Sequence, residues 1–431
     1  MALITRTPST NGNQKKWTLS GWYKFSTSGT STYQYLLNCI IGSGTRYTYI
    51  CYRNSTIETY GGIYSTSTSS VSFDVTTNRL LRDPNAWYHI VVAFDSTQAT
   101  DTNRIKIYIN GVQETSFQGY TGSGSATPTY PAQNVDSFMN VDTSPNQIGA
   151  DFDGIMSHVH FCDGTALAPT VFGETDATTG EWKIKSDPDS YTLGTNGFTI
   201  FKDDKTITDQ SSNSNDFTLS SGTLTKTEDN PSNSFATYNP LDNYYANSTF
   251  SKGNTTVVTN SGNTTYNTST LGIPPTMKCY WEAKFDTVQS ANGEVGIVNT
   301  PTTGSAAGGG ASRLYYQTYG ISVNDFGVIW NANANTGITL GTLSTSDIVC
   351  FAWDGVNQAL YVRKNGDAWI NSGDPTSGAS KTGTVKSFSG TSLTMFPAVA
   401  DQSGSHAVGT STNFGNGYFG TTAISSAGTN A

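Results

Sequence analysis

Apolar and polar residues alternate with period two over several short stretches. Residues 87–95 (WYHIVVAFD) place Tyr88, Ile90, Val92 and Phe94 on one face of a predicted strand. Residues 104–111 (RIKIYING) then set Ile105, Ile107 and Ile109 against Lys106 and Tyr108, and end in Asn110-Gly111. Asn-Gly is the preferred pair for a two-residue hairpin turn, because both positions tolerate positive φ. Residues 278–286 (KCYWEAKFD) alternate Trp281, Ala283 and Phe285 with Tyr280, Glu282 and Lys284. DIVCFAWDG follows, then ALYVRKNG with a second such turn at Asn365-Gly366. No stretch combines a helical period with helix caps.

The two halves echo each other. In each, an apolar strand ends in an aromatic residue and Asp (Phe94-Asp95, Trp353-Asp354), a loop follows, and an alternating strand closes in Asn-Gly. The expected fold class is therefore all-β, with two antiparallel β-sandwiches. Residues 1–188 form the first expected domain, 189–240 an extended connector that donates a strand or two, and 241–420 the second domain. The Gly/Ala/Ser run 302–311 reads as a flexible loop, and 421–431 as a flexible tail.

Composition narrows the function classes. The 431 residues carry 23 Lys and Arg against 32 Asp and Glu, a net charge of −9, and no basic run, which argues against nucleic acid as a partner. Charged residues are 13% and aromatics 12%, so the chain is too aromatic for disorder and its surface is unusually neutral. Five cysteines (Cys39, Cys51, Cys162, Cys279, Cys350) form no CxxC pair and are expected as buried free thiols. MALITRTPST lacks the layout of a signal peptide, and no apolar run is long enough to span a bilayer. Synthesis in a reducing cytoplasm, without membrane insertion, is the expectation.

Three groups of segments carry a resemblance. Residues 17–25 (WTLSGWYKF), 87–95 and 106–113 (KIYINGVQ) resemble the laminin-G-like, concanavalin-type jelly roll. Residues 152–176 (FDGIMSHVHFCDGTALAPTVFGETD), with NGFTIFKDD, SSNSNDFTL and residues 230–243 (NPSNSFATYNPLDN), resemble segments of large phage structural proteins, marine phages among them. YWEAKFD, YGISV (319–323), DIVCFAWDGVNQALYVRKNG, FPAV (396–399) and TNFG (412–415) fall in the order of a SPRY domain. The resemblance implies a jelly roll plus a SPRY-like sandwich in a phage virion structural protein. Such a protein would be a capsid decoration, knob or tail-fibre component on the exposed virion surface. Its partners would be other virion proteins, further copies of itself and a host surface glycan bound for attachment.

Candidate chemistry is sparse. Calcium between loops, as in laminin-G-like relatives, would use Asp151 and Asp153, with Asp95 and Asp101 in a second loop. Glycoside hydrolysis needs two carboxylates flanking one bond. The nearest pair, Glu282 and Asp286, stands about 13 Å apart along a strand, and reads as a solvent-facing Glu and a strand-end Asp. The histidines are His89, His158, His160 and His406, of which His158 and His160 share a strand face at ligand spacing. Gly308-Gly309-Gly310 lacks the Lys-Ser/Thr of a phosphate loop. Carbohydrate binding through aromatic platforms fits better, with Tyr315, Tyr316, Trp330 and Trp369 as candidates near predicted loop ends. No catalytic residue, resident metal or cofactor is expected. The alternatives are a phage glycan depolymerase on the same jelly roll and a cellular carbohydrate-binding adhesion protein.

Overall fold

A computed structural model describes residues 2–27, 30–41, 46–64, 69–119, 127–185, 187–203, 206–244, 248–260, 265–288, 293–299, 313–345, 347–401 and 406–416. The chain divides into two compact units. The first comprises Met1–Lys226 with Asn230–Ser234, and the second Thr227–Asp229 with Phe235–Ala431.

Among the described residues, the first unit is a sandwich of an eight-stranded and a six-stranded antiparallel sheet, with a separate two-stranded hairpin. The first sheet runs Phe117–Gln118, Ser69–Thr77, Thr56–Tyr64, Arg46–Arg53, Gln34–Ile41, Asn146–Ile148, Leu3–Arg6, Thr218–Ser221. The second runs Phe198–Ile200, Gly154–Asp163, Lys16–Phe25, Tyr88–Asp95, Ile105–Ile109, Val112–Gln113. Alternation holds as expected: Ile90, Val92, Phe94, Ile105, Ile107 and Ile109 share one core with Leu37, Ile50, Ile57, Phe73 and Val75 of the facing sheet. Trp17 lies directly opposite Phe94, with ring centroids 5.0 Å apart and planes 2° from parallel.

Residues 189–240, expected as a connector, are divided between the two units at Lys226. They supply an edge strand to each sheet of the first unit, Phe198–Ile200 and Thr218–Ser221. Phe198, Ile200 and Phe217 are buried in its core. The polar composition of this stretch hides that burial, because Asp209 ties the polar backbone together. Its carboxylate accepts N–H groups from Thr199 (2.8 Å), Ser211 (2.9 Å) and Asn215 (2.8 Å).

The second unit is likewise a sandwich, of two seven-stranded antiparallel sheets among the described residues. The third sheet runs Tyr238–Tyr244, Thr265–Ser269, Phe396–Asp401, Gly293–Val298, Ile321–Asn324, Val328–Asn331, Ala334–Thr339. The fourth runs Thr249–Ser251, Thr256–Val258, Gly409–Asn413, Lys278–Phe285, Ile348–Asp354, Ala359–Lys364, Lys386–Ser387. Trp281, Phe285, Val295, Ile297, Phe351, Trp353 and Val399 belong to its core.

The echo between the halves extends to atoms. Asn110 and Asn365 both adopt positive φ, 49° and 51°. Their side-chain oxygens accept the N–H of His89 and of Ile348, each at 2.8 Å, and so close the hairpins identically. Lys16 pairs with Asp95 at 3.5 Å and Lys278 with Asp354 at 2.9 Å, at the same corner of each hairpin. Trp281 stacks on Phe351 at 5.0 Å, as Trp17 does on Phe94. The five cysteines are free thiols, buried except for the half-buried Cys279. The tail 421–431 and the loop 302–311 lie outside the described residues.

Candidate functional site

The outward face of the first sheet carries a row of tyrosines. In Arg46–Arg53, Ile50 and Tyr52 point into the core, which turns Tyr47, Tyr49, Cys51 and Arg53 outward. Tyr60 stands directly opposite Tyr49 on the next strand, their rings stacked at 5.2 Å and 8°. Tyr47 stacks on Tyr60 at 5.5 Å, and Tyr35 meets Tyr49 edge-on at 5.4 Å. Tyr33 lies parallel to Tyr35 at 5.8 Å, and the Arg53 guanidinium sits 4.3 Å from the centre of the Tyr33 ring.

Beneath these rings is a buried carboxyl. Glu58 is 2% exposed and accepts a 2.7 Å hydrogen bond from the Tyr49 hydroxyl, with Arg53 3.9 Å away. Burial raises its pKa to about 7, against the Tyr49 hydrogen bond and the Arg53 charge, which favour ionisation. Asp74 joins it on the same face, diagonally across the neighbouring strand: Tyr60 pairs with Asp74 and Glu58 with Thr76. Tyr33, Tyr35, Tyr47 and Tyr60 are half-buried, so each side chain keeps part of its surface open. Aromatic surfaces stack on the C–H side of sugar rings, and phenol hydroxyls supply partners for sugar hydroxyls. Sequence reasoning missed this set. Its signal was the Tyr-x-Tyr spacing at 47 and 49 within RYTYICYR.

In the second unit the structure gathers three of the four predicted aromatics. The short 3-10 helix Leu314–Tyr316 lies on the outward face of the third sheet, and Leu314 packs with Tyr266, Val298, Ala398 and Ala400. Tyr315 is sandwiched between Tyr316 at 5.1 Å and Trp330 at 5.0 Å. Gly320 is required here, because a Cβ at that position would fall 1.8 Å from the Leu314 carbonyl oxygen. Glu294, fully buried under the helix, accepts the Leu314 N–H at 3.0 Å. Burial raises its pKa to about 8, opposed by hydrogen bonds from Ser322 and Leu314 and by the Arg313 charge.

Trp369 is not part of this group. It lies on the outward face of the fourth sheet, 4.7 Å from the Arg363 guanidinium and edge-on to Tyr280 at 6.4 Å. The expectation that Glu282 faces solvent is corrected there. Glu282 is buried and accepts hydrogen bonds from Tyr280 (2.7 Å) and Asn413 (3.0 Å), because long neighbours on adjoining positions roof it. Asp286 is committed to the Ser411 hydroxyl at 2.6 Å and to Lys284 at 3.2 Å.

The remaining candidates lie apart from these two groups. Asp151 is exposed and Asp153 half-buried, flanking Phe152, whose ring sits in the core. Burial raises the Asp153 pKa. Among the described residues no group of three or more His, Cys, Asp or Glu side chains that could hold a metal ion is found. Asp95 caps its own loop through Thr97 and Gln98, and Asp101 is exposed in Asp101–Asn103. A bulge between Ser157 and His160 sets His158 at positive φ, with the two histidine rings 6.4 Å apart. Each ring bonds a hydroxyl, Ser157 at 2.7 Å and Thr199 at 3.0 Å. His89 sits 2.9 Å from the Ser20 hydroxyl, but the Trp182 indole N–H donates to its Nδ1 at 3.0 Å. Nε2 of the neutral ring therefore carries the proton and donates to Ser20, so it is no base for that hydroxyl. Burial lowers the His89 pKa to about 3 and keeps the ring neutral. His406 is exposed, and Gly308-Gly309-Gly310 lies outside the described residues.

The fold and these faces can be set beside known proteins. Residues 4–171 match the model of the concanavalin A-like lectin/glucanases superfamily. The match lies wholly within the first unit. Several solved structures are similar at low identity. The SPRY domain of human HERC1 is 13% identical, with 41% of this chain and 96% of that chain covered and a TM-score of 0.32. Domains LG4-5 of the mouse laminin alpha1 chain are 9% identical, with 93% and 81% covered and a TM-score of 0.23. The enzymatically active domain of tailspike protein 2 of bacteriophage CBA120 is 10% identical, with 39% and 25% covered and a TM-score of 0.24. No curated protein matches the chain. The chain is thus all-β, with an antiparallel sandwich in each unit, and its first unit carries the match to the concanavalin A-like lectin/glucanases model.

Proposed function

We propose that this chain is a non-enzymatic phage virion structural protein, exposed on the particle surface, that binds a host glycan through the tyrosine face of its first unit. The observation that carries the glycan part is the row Tyr33, Tyr35, Tyr47 and Tyr60 over a buried Glu58. The lectin-type family match supports it. The virion part is supported by the phage-like segments at 152–176 and 230–243 and by a surface low in charge. Its partners are other virion proteins and further copies of itself, an arrangement that turns a weak single-site contact into avidity. Neither nucleic acid nor a lipid bilayer is a partner, and the protein is made in the host cytoplasm.

Immunogold labelling of intact particles tests the location, and label absent from every particle sinks it. A glycan array with the wild type and Tyr60→Ala tests the face. One stacking ring contributes about 1 kcal/mol, so the variant loses roughly fivefold in affinity for the captured glycan. An unchanged array profile would remove the face from the site.

A second reading, glycan hydrolysis, would draw on the carboxyls Glu58 and Asp74, which share this face but are buried in it. A captured oligosaccharide that releases new reducing ends on incubation would establish it. An intact oligosaccharide supports the non-enzymatic reading.

A further inference from the structure

We propose that the shelf formed by Arg313, Tyr315, Tyr316 and Trp330 is a second site, specific for carboxylate-bearing saccharides, with the Arg313 guanidinium as the partner of the sugar carboxylate. It rests on the carbohydrate reading of the chain but uses a different unit and a different face. The three rings form a continuous stack, of which Tyr316 is 38% exposed and Trp330 half-buried. That is a platform for the apolar side of one sugar ring.

Charge makes the shelf selective. Arg313 donates from Nη1 to the Tyr315 hydroxyl at 2.8 Å, and its Cζ lies 5.3 Å from the Tyr316 ring centre. Ring contact and hydrogen bond together hold the guanidinium at the edge of the stack. Among the described residues it makes no ion pair and no other hydrogen bond, so Nε and Nη2 keep their donors. Glu294, the acid whose ionisation the Arg313 charge favours, is buried beneath the helix and is held mostly protonated at neutral pH, so it cancels little of that charge. On a chain of net charge −9, this is a local cation beside an aromatic platform. A planar guanidinium matches a carboxylate bidentately, and such charge-assisted bonds are about twice as strong as neutral ones. A neutral sugar gains the stacking alone.

Titration calorimetry of the full chain tests this with tetragalacturonate and sialyllactose as acidic probes, and maltotetraose and lactose as neutral ones. The expected result is that at least one acidic probe binds, more tightly than its neutral counterpart. Arg313→Gln weakens that binding by about tenfold or more, and so does Tyr316→Ala. Arg313→Lys retains part of it, and an unchanged melting temperature in each variant excludes misfolding. Tyr60→Ala, on the other face, leaves it unchanged. Three results overturn the proposal: neither acidic probe binds, Arg313→Gln stays within twofold of wild type, or acidic binding is lost through Tyr60→Ala. Neutral glycans that still bind through Tyr60 would leave the function proposed above standing while this site falls.

Discussion

Trp17→Ala lowers the stability of the first unit by roughly 3–5 kcal/mol. The indole is 0% exposed and lies at the centre of the first sandwich, stacked on Phe94 at 5.0 Å and near-parallel to Phe161 at 6.3 Å. Removing it deletes most of a large apolar side chain and leaves a cavity whose lining loses its contacts. Its Nε1–H also donates to the Ser137 hydroxyl at 3.0 Å, but Ser137 keeps its own bond to the Gln14 carbonyl at 2.8 Å. The packing loss therefore dominates the polar one. Urea unfolding, followed with hydrogen exchange in peptides from Lys16–Phe25 and Tyr88–Asp95, measures it. Trp17→Phe restores part of the loss. A change below 1 kcal/mol in the alanine variant would mean that the stacked pair is not the centre of this core.

The second large effect is a pH dependence set by Glu294. Its folded pKa of about 8 stands above the ordinary glutamate value because burial penalises the charged carboxylate. A group raised on folding stabilises the fold while it is protonated in both states. That contribution is full below the unfolded value of about 4.5 and is lost as pH rises through 8. The loss is on the order of 5 kcal/mol at its upper limit. Glu294→Gln keeps the acceptor for the Leu314 N–H and removes the titration. The variant matches wild type near pH 5 and is more stable at pH 9. Melting temperatures across that range decide it: parallel curves for the two proteins would show that Glu294 ionises without cost. Because Glu294 supports the helix beneath Tyr315 and Tyr316, ligand binding at the shelf weakens as pH rises through about 8 in wild type alone.

Much of the fold is legible in short range. The period-two alternation of 88–95 and 105–109 is local, and so is the positive φ that Asn110 and Asn365 accept at their turns. These features name the strands, their inward faces and the hairpins, and hence two sandwiches. Composition adds the free thiols and the low surface charge. Along 189–240 the same logic fails, since Phe198, Ile200 and Phe217 are isolated apolar residues in polar sequence. Burying them depends on Asp209 satisfying the backbone around them, a long-range arrangement with no periodic signature.

The candidate sites divide along the same line. That Tyr47 and Tyr49 share a face follows from their spacing alone. That Tyr33, Tyr35 and Tyr60 join them over Glu58 is decided by the pairing register of three neighbouring strands. One residue of slip would have turned every one of those rings to the opposite face. Aromatic content near loop ends pointed to Tyr315, Tyr316, Trp330 and Trp369, yet only the sheet order separates Trp369 from the others, on the fourth sheet rather than the third. Glu294 and Arg313 carried no local signal, because a carboxyl becomes neutral and a guanidinium becomes selective through what is packed around them. By itself the sequence determined the strands, their turns and the class of fold, through interactions between near neighbours. Tertiary structure decided which aromatic and charged groups meet, because register and burial are properties of residues far apart in the chain.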